Sequence, residues 1–224
     1  MQSGVRTSAV VTSVTDHPVD FHAFVDRGIN KPARYMGHEL GVEPRDWNAA
    51  RVRWALTYPE IYEVGSSNLG HIILYSILNA LPGQLCDRAY LPEADLAGRL
   101  RERQQALFGV ESRRPLPAFD ILGFSLSYEL GATNILEMLD LCRVPIRAAD
   151  RGDLPLKDPS APPLIFAGGP TATSNPEPYA AFFDFIALGD GEELLPEIGL
   201  VVAQAKEAGL GRFDLLRDLA QVPG

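Results

Sequence analysis

Cysteine is nearly absent: only Cys86 and Cys142 occur in the sequence. Neither belongs to a CxxC or CxxxCxxC cluster, so this chain alone cannot hold a site built from three or four thiolates. Each lies in an apolar setting and is expected to be a reduced, buried thiol. Histidine is also scarce, and His17, His22, His38 and His71 form no i, i+4 pair, so no zinc site is expected. There is no Ser-His-Asp or Cys-His arrangement and no G-x-S-x-G elbow, and the glycine turns lack the lysine of a P-loop. No apolar stretch approaches the ~20 residues needed to span a bilayer. The N-terminal run MQSGVRTSAVVTSVTDHPVDF has no apolar core followed by a cleavage site, so a cytoplasmic protein is expected. Basic residues are outnumbered, 20 against 29 acidic, for a net charge of -9. Direct nucleic-acid binding is therefore not expected.

What remains is a chain of 224 residues, 46% hydrophobic, enough for one large domain with extensions. Residues 1–50 mix glycine, proline and charge without a regular period and read as an irregular extension, with a short helix near Val19 to Arg27. From Arg51 strand-like and helix-like segments alternate. RVRWALTYP, LCDRAYLP, FDILGFSLSY, PLIFAGG and FDFIALGD read as strands. SSNLGHIILYSILNAL reads as a helix with Ser66, Ser67 or Asn68 as N-cap. EADLAGRLRERQQALFG is an amphipathic helix closed by Gly109, followed in turn by GATNILEMLDLCRV and GEELLPEIGLVVAQAKEAG. This order predicts an α/β layered fold with a mostly parallel sheet.

Ligands of such sheets bind beyond the carboxyl ends of the strands, so the informative residues follow each strand. After the first come Glu60, Tyr62 and Gly65, then Ser66, Ser67 and Asn68 at a helix start, where backbone N–H groups can receive an anion or a polar edge. Capping with a glycine turn explains the same residues. After the third strand, Ser125 and Ser127 offer small hydroxyls to a flat ligand, or form a satisfied polar pair. After the fourth, Gly168 and Gly169 remove side chains where a bulky group can press on the backbone, and Pro170 and Thr171 turn the chain. After the fifth, Gly189 and Gly191 flank Asp190 at another helix start.

Taken together, these loops resemble the cobalamin-binding-type N-terminal domain of radical S-adenosylmethionine (SAM) enzymes. The stretch FAGGPTATSNPEPYAAFFDFIALGDGEE (166–193) carries the family's Gly-Gly-Pro turn and its D-x-x-x-x-G-x-G-E ending. KPARYMGHEL, YPEIYEVGSSNLGHIILYSILN and NPEP are similar to an uncharacterised fused branch. The resemblance implies a flavodoxin-like (Rossmann-like), five-stranded sheet of order 2-1-3-4-5 over residues 51–208. It also implies that 209–224 lead toward a radical SAM barrel. The residues of the four loops, Glu60 to Gly191, would then be the cofactor-binding set.

Two departures bear on chemistry. Many cobalamin domains carry D-x-H-x-x-G after the first strand, the histidine ligating cobalt. Here that spacing holds Glu60, Tyr62 and Gly65; His71 is a substitute by type but lies inside the predicted helix. Second, the CxxxCxxC that would hold a [4Fe–4S] cluster for SAM is missing, so this chain reads as a piece of a longer enzyme, not catalytic by itself. The expected partner is a radical SAM catalytic domain, in cis or in trans. The competing readings are a non-catalytic interaction module that has lost cobalamin, and a flavodoxin-like FMN protein. The FMN reading is disfavoured because the first loop lacks a Ser/Thr-rich phosphate cradle.

Overall fold

Strands buried on both faces need two apolar residue sets in alternation, and the first strand, β1 (Val52–Tyr58), has them. Val52, Trp54 and Leu56 enter one core and Ala55 the other. The computed structural model describes residues 16–23, 28–37, 39–40, 42 and 45–223. Four strands join β1: β2 (Gln84–Tyr90), β3 (Ile121–Ser125), β4 (Leu164–Gly168) and the two-residue β5 (Phe185–Ile186). All pairings are parallel, in the order β2-β1-β3-β4-β5. This is the flavodoxin-like order expected from the sequence.

Helices cover both faces. On one side lie α2 (Leu69–Ala80), α6 (Gly191–Ala208) and α7 (Arg212–Leu219), over Trp54, Ile121, Leu164 and Phe166. On the other lie α3 (Ala94–Glu102) and α4 (Gly131–Cys142), over Ala55, Leu122, Phe124 and Ile165. Two short helices follow strands: α1 (Tyr62–Gly65) after β1 and α5 (Pro170–Ser174) after β4. Cys86 and Cys142 are buried free thiols, as expected. Among the described residues no helix is long and apolar enough to cross a membrane.

The edge strand β2 is covered. Cys86 exchanges two bonds with the Asn79 amide, at 2.9 and 3.0 Å, and Val110 N–H donates to the Arg88 carbonyl at 2.9 Å. These partners occupy groups that an open edge would present to another chain. The carboxylate of Asp87, fully buried, anchors the covering loop by accepting from the Glu111 and Ser112 N–H groups and the Ser112 hydroxyl. Gly109 belongs to this lock: a Cβ there would run into the Asp87 carboxyl group. It does not close a helix, for α3 ends at Glu102 and Gln104 takes the left-handed turn (φ 54°).

Both flanks are built into the domain. Phe21, Ile29, Tyr35 and Trp47 from the first fifty residues join the core shared with α3 and α4. The expected short helix is a 3-10 turn at Phe21–Ala23, and 24–27 lie outside the described residues. At the other end, Leu215 and Leu219 of α7 join the core of α6. Arg212 of α7 and Arg151 each lie 3.0 Å from one Asp184 oxygen, all three side chains at most 2% exposed. Asp184 is thus the shared counter-charge for two buried guanidinium groups, and it also accepts the Ile165 N–H at 2.7 Å. Removing it strands both charges. We therefore expect Asp184→Ala to lower unfolding stability by about 3–5 kcal/mol in a urea titration.

Candidate functional site

Because the sheet is parallel, the loops after β1, β3, β4 and β5 all leave the same end. The chain order reverses between β1 and β3, which opens a crevice there. Tyr58, the last residue of β1, bridges it. Its hydroxyl lies 3.4 Å from Ser127 Oγ and accepts from the Asn68 amide at 3.2 Å. A second bridge runs outside the first: Tyr128 donates its hydroxyl hydrogen to Glu60, and Asn134 donates to the Pro59 carbonyl at 2.8 Å. Glu60 raises the Tyr128 phenol to about 12, keeping it a neutral donor at physiological pH. The structure therefore brings together Glu60, Asn68 and Ser127 from the predicted set. It adds Tyr58 and Asn134, which the sequence reading had not singled out, and Tyr128, which stands next to Ser127 in the loop after the third strand.

The rest of the first loop is occupied with its own folding. Asn68 is the N-cap of α2, accepting the His71 N–H at 2.9 Å. Ser66 and Ser67 turn the other way: the Ser66 N–H bonds to Tyr62, and the Ser67 hydroxyl reaches the Glu63 and Val64 carbonyls. Gly65 lies flat against the Tyr90 ring, where a Cβ would collide.

The glycine pair after β4 divides in two. Gly169 adopts φ 109°, ψ 176°, a conformation open essentially to glycine alone, and a Cβ would stand 2.9 Å from the Leu126 carbonyl oxygen. The Leu126 backbone accepts from Thr171 and donates to Gly168, so this turn locks the β3 and β4 loops together. Gly168, opposite Ser125 at the strand end, meets only ordinary contacts with Ala187 near 3.6 Å. Pro170 is exposed and opens α5, and Thr171 is buried. In the last loop Gly189 turns with φ 107°, and Gly191 lets α6 press on Leu74 of α2. Asp190 is exposed; its carbonyl accepts the Glu193 and Leu194 N–H groups while its carboxylate makes no cap bond.

A larger polar network beside this crevice begins with Arg88, a charge within an otherwise strand-like run. Its guanidinium, 5% exposed, holds Glu39 at 2.7 Å and Glu111 at 2.8 Å. Glu39 accepts the Tyr62 hydroxyl, and Glu111 accepts the Tyr75 hydroxyl at 2.8 Å. Arg34, also buried, pairs with Glu63 and Glu93, and the first of these pairings pulls Glu63 down to about 2. Burial and the neighbouring Glu39 raise Tyr62 to about 12. Burial, with Asp87 nearby, raises Glu111 to about 7. His71, enclosed by Tyr58 and Tyr90, is pushed down to about 3 by burial and by the Arg88 charge, so it is a neutral imidazole at pH 7. The quoted run KPARYMGHEL thus supplies Arg34 and Glu39. Its signal was a pair of charges in a segment too irregular to assign.

In the loops at this end of the sheet, large apolar side chains face solvent. Leu130 after β3 is 81% exposed, Leu69 at the start of α2 69%, and Val64 and Leu188 are also exposed. A lone exposed leucine is unremarkable, but here one end of one sheet collects three leucines and a valine.

Two tests follow from this geometry. Gly169→Ala should cost about 1–3 kcal/mol in thermal unfolding, while Gly168→Ala should change stability little. For His71 the folded group titrates near 3 and the unfolded group near 6.5. Between those values the unfolded chain binds the extra proton, so this contribution is complete above pH 6.5 and is lost as pH falls toward 3. Glu111 acts oppositely, its raised value favouring the folded state as pH falls from about 7 to 4.5. His71→Leu should therefore stay folded to lower pH than the natural chain in an acid titration followed by circular dichroism.

Residues 70–224 match the family described as radical SAM proteins, N-terminal. No curated protein and no solved structure matches the chain. The match covers most of the sequence and four of the five strands, β2 to β5, with the loops that follow β3, β4 and β5; β1 and the 59–68 loop precede it. The chain belongs to the family of N-terminal domains of radical SAM proteins.

Proposed function

We propose that this chain is an accessory domain that presents the carboxyl end of its sheet to a radical SAM catalytic domain, joined in cis or supplied in trans. The observation that carries this reading is the set of exposed apolar residues in the loops at the carboxyl end of the sheet, Val64, Leu69, Leu130 and Leu188. Apolar residues gathered at a polar crevice suit an interface that closes over a bound group. SAM and the [4Fe–4S] cluster belong to the catalytic domain of full-length members. This chain lacks the cysteines for the cluster and contributes shape and polar contacts.

The residues fit cobalamin in one respect and not in another. Ser125, Ser127 and Gly168 leave an uncrowded edge after β3 and β4 against which a corrin amide can lie. Cobalt ligation by the chain does not fit: the Tyr62 hydroxyl is committed to Glu39, and both His71 nitrogens are buried. A bound cobalamin would supply methyl transfer, and this chain would only hold its edge. The interaction-module reading is favoured by Gly65, whose open face is filled by Tyr90.

Leu69→Asp/Leu130→Asp tests the reading. Both side chains are exposed, so the double variant should melt like the parent chain. It should bind the separately produced catalytic domain of a full-length member at least tenfold more weakly in calorimetry. Binding equal to that of the parent would reject the docking face. Hydroxocobalamin added to the parent chain and then desalted should, if retained, show no spectral band of a protein nitrogen on cobalt.

A further inference from the structure

All five strands are parallel, so the segments that follow them leave one end of the sheet, and those segments carry charge of one sign. Residues 59–68, 91–93, 126–130, 169–174 and 187–193 hold seven acidic residues and no lysine or arginine. By contrast, the segments that lead into β3 and β4, 103–120 and 143–163, hold seven basic residues. The acidic balance of the chain is thus uneven, and the carboxyl end of the sheet takes a concentrated share. Two of the seven acids are neutralised within the chain: Glu63 and Glu93 pair with Arg34, and Glu63 also with Lys31. Both cations come from the N-terminal segment. Glu129, Asp190, Glu192 and Glu193 are exposed, and none of them is in an ion pair among the described residues. They stand beside the exposed apolar side chains: Glu129 precedes Leu130, and Leu188 lies two residues before Asp190.

We infer that the partner surface docking on this end is basic, with lysine and arginine side chains set around apolar ones. This rests on the docking reading above and adds the chemistry of the partner to it. Exposed carboxylates of one sign repel one another, and a surface of opposite sign relieves that repulsion on contact. Carboxylates alone would specify no partner. Leu69 and Leu130 supply what they lack, since apolar area of this kind is buried by a protein surface and not by a small cation. Nucleic acid is repelled by the same charges. Metal binding does not account for the carboxylates, because the described residues contain no group of three or more side chains placed to hold an ion. The partner's basic groups lie opposite Glu129 and the 190–193 turn, and its apolar groups meet Leu69 and Leu130. Charges so placed act mainly on the rate of association and on the choice of partner.

The test compares two double variants that lose the same apolar area and differ only in the charge added: Leu69→Asp/Leu130→Asp and Leu69→Lys/Leu130→Lys. Both positions are exposed, so both variants should remain folded in a thermal melt. Each is titrated calorimetrically against the separately produced catalytic domain of a full-length member, at about 50 and about 500 mM NaCl. At the lower salt the lysine variant should bind roughly tenfold more weakly than the aspartate variant, and the gap should narrow at the higher salt. Glu129→Gln/Asp190→Asn removes charge and no apolar area, and should slow association about threefold at the lower salt. Equal weakening of the two leucine variants, a greater loss with aspartate, or an unchanged association rate for Glu129→Gln/Asp190→Asn would overturn the basic-surface inference and leave the docking face standing. Binding equal to that of the parent in both leucine variants would reject the docking face itself, and this inference with it.

Discussion

The buried guanidinium of Arg88 is the interaction on which the site end of the molecule depends. It projects from the edge strand and is shared by two carboxylates from elements far apart in sequence, Glu39 of the N-terminal segment and Glu111 of the covering loop. Through Glu39 it reaches Tyr62, and through Glu111 it reaches Tyr75 of α2. A guanidinium at this depth is tolerable only while its partners remain, so the edge strand, the N-terminal segment, the covering loop and the first site loop are held together. Arg34 makes a second tie of the same kind to Glu63. The first fifty residues are thereby part of what shapes the site.

Against that fixed side, the crevice between β1 and β3 is bridged by hydrogen bonds of the Tyr58 and Tyr128 hydroxyls to groups that are not all buried. Such bridges are modest in net strength, because water replaces them readily. The arrangement joins a firmly held wall to a mouth that can exchange its partners. Around the mouth the exposed leucines provide area for contact, and the crevice provides polar specificity.

Much of the fold was legible because it follows from period and burial. Strands such as PLIFAGG, apolar on both faces, can only lie between helical layers, and the alternation of segments makes the sheet parallel; the strand order came from the family resemblance. Asn68 was legible as a cap because its position before an apolar helical period leaves that amide few other uses. Gly109 was misread: its constraint comes from Asp87, over twenty residues away, and no local pattern reports it. The α7 helix was passed over because its apolar residues acquire a partner only once α6 is in place. The site was half legible. Glu60, Asn68 and Ser127 stood in the right loops, but Tyr58 and Tyr90 looked like ordinary strand residues. Arg88 and Glu39 are linked only through tertiary contact.

The central claim is that the carboxyl end of the sheet faces a radical SAM catalytic domain. Amide hydrogen exchange tests it most directly, comparing the chain alone with the same chain joined to that domain. Slower exchange in the joined protein at 61–69, 126–131 and 188–191, with the α3 and α4 face unchanged, is the predicted result. Unchanged exchange in those loops, with protection confined to the outer faces of the helices, would contradict it.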